Sequence, residues 1–186
     1  MTVTASSVIK GNSEALEQCL SILVRLSSTQ YRYVLPPMVV SPIGAHVRHI
    51  LDIYFALKLA FDRGVNNQQL LLVDYDHRRR GVTCEADSLL ASNELMVLGD
   101  WLLSLDVDTL GVAVNVKTEV SLQDTESVVL KSTLLRELVF ASSHAVHHLA
   151  IISMIARSQN IVIDSALGIA PATATFLREK DSVVEE

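Results

Sequence analysis

Aromatic residues, glycine, proline and charge are all scarce in this chain of 186 residues. Phe, Trp and Tyr make up 5% of it and charged residues 19%, and there are seven glycines and four prolines. Because helix breakers are rare, long helices are favoured. Because aromatic rings are rare, the core must be aliphatic, and 49% of the residues are hydrophobic. This composition is typical of long packed helices. The length suits one domain with its own core, so we take residues 1–186 as a single domain.

Positive charge is also in short supply. Lys and Arg number 15 against 21 Asp and Glu, which gives a formal net charge of −6. Domains that bind nucleic acid usually carry a clustered excess of Lys and Arg. The one basic run, from His77 to Gly81, is too short to supply such a surface. We therefore expect no nucleic-acid partner.

Cysteine is rare, and long apolar runs are missing. Cys19 and Cys84 are the two cysteines, and neither lies in a CxxC pattern, which favours a reducing compartment over a disulfide scaffold. The first residues show no basic stretch followed by an apolar block, as a signal peptide would. No run approaches the roughly 18 apolar residues of a membrane-spanning helix. The sequence predicts a cytoplasmic protein without a membrane partner.

Four stretches repeat their aliphatic residues with the period of a helix. We expect these helices at about 12–28, 41–64, 85–105 and 132–158. In the second, Ser41 is a good N-cap and Pro42 suits the first turn. Its apolar stripe is Ile43, Val47, Ile50, Tyr54, Leu57 and Phe61. The core is expected over about 12–158, followed by an ordered tail over 159–180.

The segment before the last helix has a different period. Its apolar and β-branched residues alternate with a period of two, the pattern of a half-buried strand: Val112, Val114, Val116, Thr118 and Val120. The residues LQDTE then offer a turn back through Val128 to Lys131. We predict a β-hairpin inserted before the last long helix.

Three histidines crowd into five residues of that last helix. His144 and His148 are four residues apart, which places them on one helix face with Cβ atoms about 5–6 Å apart. Glu137 falls on the same inward face. A divalent cation is one partner that can satisfy two inward imidazoles. A single HxxxH pattern is weak evidence on its own, and His147 lies at the edge of the stripe.

The second helix adds imidazoles that could complete a site. Its sequence HVRHILD places His46 and His49 one turn apart on the inward side, and five of the six histidines lie in these two helices. A third imidazole from a facing helix would leave coordination positions open for water or substrate. Periodicity places His46 nearer the centre of the apolar stripe than His49.

Four segments resemble the DinB-like superfamily, which includes the YfiT-type proteins. They are SPIGAHVRHILDIY, VDYDHRRRG, LLRELVFASSHAVHHLAII and LGIAPATATF, and the likeness covers roughly Ser41 to Leu177. The resemblance implies an all-α, metal-binding four-helix bundle of up-down-down-up order. With the hairpin as an insertion before the last helix, this is the fold that we expect.

The resemblance also implies a ligand set. A divalent ion would be held by an HxxxH pair, here His144 and His148, and by one histidine of the second helix. That histidine commonly precedes two apolar residues and an acidic one, which fits His49 and Asp52 better than His46. We expect His49 as the third ligand, with His46 in reserve. Zinc and nickel suit such a set best, and iron and manganese are further options.

Other polar residues are candidates for the same site. Asp52 could orient an imidazole or accept a proton, or form a salt bridge on the helix. Glu137 could act in catalysis or pair with Arg48 or Arg136. The loop residues Tyr75, Asp76, Arg78 and Arg80 could bind an anionic group, or be solvated. Nothing near Cys84 would lower its pKa, so we expect a packing residue.

These features predict a metal-dependent enzyme acting on a small molecule. The ion would activate a water or a low-molecular-weight thiol, in a hydrolase or a thiol S-transferase. Ergothioneine-type sulfoxide synthase chemistry is disfavoured, because those relatives carry a glutamate where this chain has Ala150. The alternative is a non-catalytic metal-binding or stress-associated helical dimerisation protein. We also expect a homodimer formed through outer helix faces.

Overall fold

The computed structural model describes residues 2–67 and 71–184. Its α-helices in these ranges are α1 (Thr2–Leu23), α2 (Ser28–Tyr31), α3 (Ile43–Asn67), α4 (Ser88–Ser104), α5 (Leu134–Ser158) and α6 (Pro171–Val184). Its strands are β1 (Leu71–Asp74), β2 (Ala113–Glu119) and β3 (Ser127–Thr133). Short 3₁₀ turns occupy Thr83–Glu85 and Val107–Thr109.

The expected all-α four-helix bundle is wrong, because the chain also builds a mixed three-stranded sheet. The strand order is β1-β2-β3, with β1 parallel to β2 and β2 antiparallel to β3. The hairpin predicted from the alternation is present as β2 and β3. The additional strand β1 was not predicted, and it lies immediately before the segment from Tyr75 to Arg80 that we expected to be a loop. Its four residues pair Leu71 with Val114 and Asp74 with Lys117, so the fold mixes helices and sheet.

The first helix begins ten residues earlier than residue 12, where we expected Asn12 or Ser13 to cap it. Asn12 is fully buried, and its side-chain amide donates to the backbone carbonyl of Val8 at 2.8 Å. The Tyr54 hydroxyl of α3 donates to the Asn12 side-chain oxygen, also at 2.8 Å. Asn12 therefore serves as a polar contact between α1 and α3 inside the core, where an N-cap would face solvent.

The later long helices begin at side-chain caps. Asp87 accepts hydrogen bonds from the backbone N–H groups of Leu89 and Leu90, so α4 starts three residues after the expected Glu85. Thr133 accepts from the backbone N–H of Arg136 and starts α5, as the sequence predicts. These bonds satisfy N–H groups that have no partner within the helix.

An aliphatic core fills the space between α1, α3, α4 and α5. The helix α5 packs against α1 and α3, and α4 packs against the same two helices from another side. The predicted stripe of α3 is buried from Ile43 to Leu57, with Phe61 half-buried at its end. This packing places the inward faces of α3 and α5 directly opposite each other. Both faces carry histidines.

Close backbone contacts fix α3 and the C-terminal tail at two glycines. A Cβ on Gly44 would collide with the backbone carbonyl of Glu85 and the ring of Tyr31, so only glycine lets α3 approach this turn. Gly168 has a φ of +75° and lies against the backbone of Leu149 and Ala150. The tail is thereby held against α5 beside the histidine run. Beyond it, the side chains of α6 up to Lys180 are exposed or, at Ala174, half-buried.

The helix α5 is long and apolar enough to cross a membrane by length and composition alone. It has 25 residues, and the mean hydropathy of its most apolar window is 1.5. Core helices of soluble proteins pass the same test. Its buried face is packed inside the protein against α1 and α3.

Candidate metal centre

The cluster is built from one face of α3 and one face of α5. Residues three or four positions apart on a helix project from the same side, so His46 and His49 lie together, as do His144 and His148. Because α3 packs against α5, the two pairs meet between the helices. All four side chains are half-buried.

Three imidazole nitrogens converge on one point. The Nε2 atom of His144 lies 2.9 Å from Nε2 of His49 and 3.1 Å from Nε2 of His148. The ligand atoms of this three-histidine group lie within 4.8 Å of one another. Nitrogens bound to one metal at about 2.1 Å, at angles of about 90–110°, would lie roughly 3.0–3.4 Å apart. The group could therefore hold a metal ion.

Hydrogen bonds between the rings satisfy these nitrogens only in part. A neutral imidazole carries one N–H, and its other nitrogen has a single lone pair in the ring plane. Nε2 of His144 faces both other rings, so it can form one good hydrogen bond and leaves the other contact poorly matched. A cation that accepts all three lone pairs resolves this conflict, which makes the donor set suitable for a metal.

His46 lies on the opposite side of His148 from this group. Its Nδ1 atom is 3.0 Å from Nδ1 of His148, whereas Nε2 of His148 faces His144. The two histidines of α3, between which the sequence could not decide, therefore occupy different positions relative to the group. His49 shares the point of convergence, and His46 contacts the outer nitrogen of one of its members.

His147 lies beside the cluster without joining it. Its ring centroid is 5.2 Å from that of His148 and 6.2 Å from that of His144. It lines a surface groove between α1 and α5, together with Gly168 and Pro171. This placement agrees with the edge position expected from the helical stripe.

Burial holds the cluster in its neutral form. Desolvation is the main cause and the neighbouring imidazoles add to it: together they lower the pKa of His49 to about 4 and that of His148 to about 3. Desolvation also lowers the pKa values of His46 and His144, and the nearby His147 adds to this effect. Neutral imidazole is the form that binds metals.

Aromatic side chains form one wall of the cluster. The ring of Phe140 stacks on His144 with centroids 5.5 Å apart, and Tyr75 lies 5.4 Å from Phe140 on the other side. The Tyr75 hydroxyl donates to Oε2 of Glu137 at 2.9 Å. Burial raises the pKa of Tyr75, and so does the adjacent carboxylate, so the hydroxyl stays a donor. This chain of contacts fixes one face of His144.

Glu137 is almost completely buried and has its oxygens occupied. Its Oε1 accepts from the Ser132 hydroxyl at 2.6 Å and from Nη1 of Arg136 at 2.9 Å, while Oε2 accepts from Tyr75. The pairing with Arg136 is one of the two expected from the sequence. These bonds join the start of α5 to β3 and to the segment after β1.

Asp52 also has its carboxylate engaged, within a network of charged residues. Oδ2 accepts from Nη1 of Arg48 at 2.9 Å, and Oδ1 accepts from Nε of Arg79 at 2.7 Å. Arg48 continues to Glu85, and Arg79 continues to Glu94. Arg79 and Glu94 escaped the sequence reasoning. The sequence does not distinguish Arg79 from its neighbours, whereas the structure shows Arg79 half-buried and Arg78 and Arg80 exposed.

The remaining candidates lie away from the point of convergence. Asp76 accepts from the backbone N–H of Glu119 and from the Ser127 hydroxyl, and so holds the segment after β1 to the hairpin. Arg78 and Arg80 are exposed. Cys84 is buried, and burial raises its pKa to about 11, in agreement with the expected packing role.

Comparisons with known proteins do not assign the chain to a family. The chain matches no protein-family model and no solved structure. It is 24% identical over 109 residues to FK506-binding protein 5 of Rhizopus delemar. That alignment covers 59% of this chain and 28% of the relative, so the chain spans much less than half of that protein's length. Identity this low over so small a share shows no family membership.

Proposed function

We propose that the protein binds one divalent metal ion through His49, His144 and His148 and uses it to activate a water or a small-molecule thiol. The observation that supports this is the convergence of three half-buried imidazole nitrogens from two facing helices. Zinc and nickel are the first candidates, and iron or manganese would also accept imidazole. The reaction class is a transferase or a hydrolase.

The chemistry depends on the number of protein ligands. Three imidazoles leave positions open on the ion, and a bound ion lowers the pKa of a water or thiol there, which makes it a nucleophile at neutral pH. Burial keeps the imidazole ligands neutral, and the ring of Phe140 orients His144 by stacking on it. Asp52 and Glu137 stay predictions as catalytic groups. Their observed contacts support a role in positioning α3 and α5.

The relationship to the DinB-like superfamily is part of the same proposal. It is supported by the order of four short motifs, which span Ser41 to Leu177. A cytoplasmic location without nucleic-acid or membrane partners is also proposed, from the acidic composition and the cysteine usage.

A second candidate function is a non-catalytic metal-binding protein that acts as a homodimer. It is supported by the outer face of α4, which exposes aliphatic residues along its whole length: Leu89, Leu90, Met96, Val97 and Leu103.

Elemental analysis of the full chain, purified without a histidine tag, tests the metal site. We expect about one metal ion per chain, and loss of stoichiometric metal in His49→Ala, His144→Ala and His148→Ala. His77→Ala, at an exposed position outside the cluster, is the control and should retain the ion. Retention of metal in all three ligand variants would refute the site.

The metal-loaded protein then separates the two candidate functions. A transferase should accelerate the reaction of a low-molecular-weight thiol with an electrophile, and a hydrolase should cleave an activated ester. Either activity should disappear in His148→Ala. Stoichiometric metal without acceleration by the wild type would favour the non-catalytic protein.

A further inference from the structure

The outer nitrogen of His148 has a partner of its own. Nε2 of His148 points toward His144, and Nδ1 lies 3.0 Å from Nδ1 of His46. Two nitrogens at this distance share one proton, since two bare lone pairs or two N–H groups would repel each other. Either His46 or His148 therefore carries its proton on Nδ1 in this contact.

The position of this proton decides whether His148 can bind a metal. If His46 donates, His148 accepts at Nδ1 and must carry its own proton on Nε2. That proton occupies the site where a cation would bind. If His148 donates from Nδ1, its Nε2 lone pair is free and points at the point of convergence. The second arrangement is the one that a ligand requires.

We propose that His46 is a positioning residue for the metal centre, which accepts the Nδ1–H of His148 and so presents the Nε2 lone pair of His148 to the ion. The inference rests on the proposed metal binding. It assigns the two histidines of α3 different tasks, with His49 as a ligand and His46 as the acceptor behind a ligand. His46, which was the alternative ligand, thereby gains a role that spacing alone does not indicate.

The other nitrogen of His46 makes no contact that would impose the opposite tautomer. In a neutral ring that accepts at Nδ1, the proton is on Nε2. Nε2 of His46 is buried and has no hydrogen-bond partner within the described ranges 2–67 and 71–184. Nothing in the described protein therefore competes for His46 by fixing its other nitrogen. Among those residues, the single hydrogen-bond partner of the His46 ring is His148.

His147 is the matched comparison for His46. It also touches His148, with ring centroids 5.2 Å apart, the same distance as between His46 and His148. No hydrogen bond joins its ring to His148 in the described structure. His147 is exposed whereas His46 is half-buried, so His147→Phe controls for the loss of an imidazole beside His148, and only the change at His46 removes an acceptor.

Zinc affinity of three variants tests the proposal, measured by competition with a chromophoric chelator. His46→Phe keeps a ring without an acceptor, and His46→Asn restores an acceptor close to the place of Nδ1. We expect zinc binding to weaken about 10–100-fold in His46→Phe with the stoichiometry still near one, as for other supporting residues of metal sites. His46→Asn should bind within about 3-fold of wild type, and His147→Phe should be unchanged.

Nitrogen NMR of the zinc-loaded wild type provides a readout that does not depend on any variant. The ring of His148 should carry its proton on Nδ1 and that of His46 on Nε2. A proton on Nδ1 of His46 would overturn the proposal even if His46→Phe failed to fold. So would unchanged affinity in His46→Phe, an equal loss in His46→Asn, or complete loss of stoichiometric zinc in His46→Phe. Failure of the wild type to bind zinc, nickel, iron or manganese would instead refute the proposed function.

Discussion

The imidazoles of the cluster are held neutral by desolvation, and this has a consequence for stability. The pKa values of His49 and His148 are about 4 and about 3 in the folded chain, against an ordinary value of 6.5. Between these values the unfolded chain binds protons that the folded chain does not. Stability must therefore fall as the pH decreases through this range.

We predict that the metal-free protein loses free energy of unfolding steadily from pH 6.5 toward pH 4. Urea denaturation in the presence of a chelator, at half-unit steps of pH, measures this slope. His49→Gln should flatten it, because the variant has one fewer depressed imidazole. His77→Gln alters an exposed position and should leave the slope as in wild type. A slope that His49→Gln does not change would show that other groups cause the acid sensitivity.

Spacing predicted some of the site and could not predict the rest. The i, i+4 relation places His144 and His148 together on any straight helix, so that pair followed from the sequence. His46 and His49 both lie on the inward side of α3, and sequence cannot tell which ring nitrogen of a facing histidine each will meet. That depends on the angle and offset between α3 and α5, which the whole core sets.

At the scale of elements, a network of charges joins α3 and α4 to the segment after β1 and to a 3₁₀ turn. Arg48 and Asp52 belong to α3, Arg79 to the segment after β1, Glu85 to a 3₁₀ turn and Glu94 to α4. Arg79 also lies over the ring of Phe55, 4.6 Å from its centroid. Asp52 is the buried centre of this network, with two arginines on one carboxylate.

We predict that Asp52→Asn lowers the free energy of unfolding by about 3 kcal/mol, because it leaves two arginines without their shared counter-charge. Metal content should not change. Chemical denaturation and elemental analysis of the same preparation measure the two effects. Glu94→Gln removes a half-buried partner at the outer end and should cost less than about 1 kcal/mol. Loss of metal in Asp52→Asn at unchanged stability would instead assign Asp52 to the metal site.

The elements were predictable where their pattern was long. Helices α3 and α5 and the strand β2 each repeat a clear period over seven residues or more, and β3 followed from the turn that comes after β2. The strand β1 has four residues, too few to establish alternation, and its parallel partner β2 lies some forty residues further along the chain. Local sequence carries little information on such a pairing. The all-α bundle was expected from the resemblance to the DinB-like superfamily, and no local pattern indicated a third strand.

At the scale of the whole molecule, the outer face of α4 is the strongest candidate for contact with a second copy. Leu89, Met96 and Leu103 are spaced by seven residues and are 51–73% exposed. In an antiparallel pair of α4 helices centred on Met96, Leu89 of one copy would face Leu103 of the other. Asn93 would lie near Asp100 of the other copy and could donate to it, so the face is self-complementary.

We predict a homodimer of twice 20.4 kDa at micromolar concentration. Met96→Lys places two charges at the centre of the symmetric pair and should give a monomer, as measured by light scattering or sedimentation. Leu122→Lys changes a fully exposed leucine between β2 and β3 and should stay dimeric. A monomeric wild type would contradict the prediction, and so would a Met96→Lys protein that remains a dimer.

The order of the elements divides the histidine cluster between two halves of the chain. His49 lies 95 residues before His144, and β1, α4 and the hairpin occupy the interval. A single cut at the exposed turn around Leu122 would produce one fragment that contains α3 and another that contains α5. Each fragment would carry only part of the proposed ligand set, with two imidazoles on one and the third on the other. The three-histidine group is therefore shared between two parts of the chain, and it is complete only while these two parts remain associated.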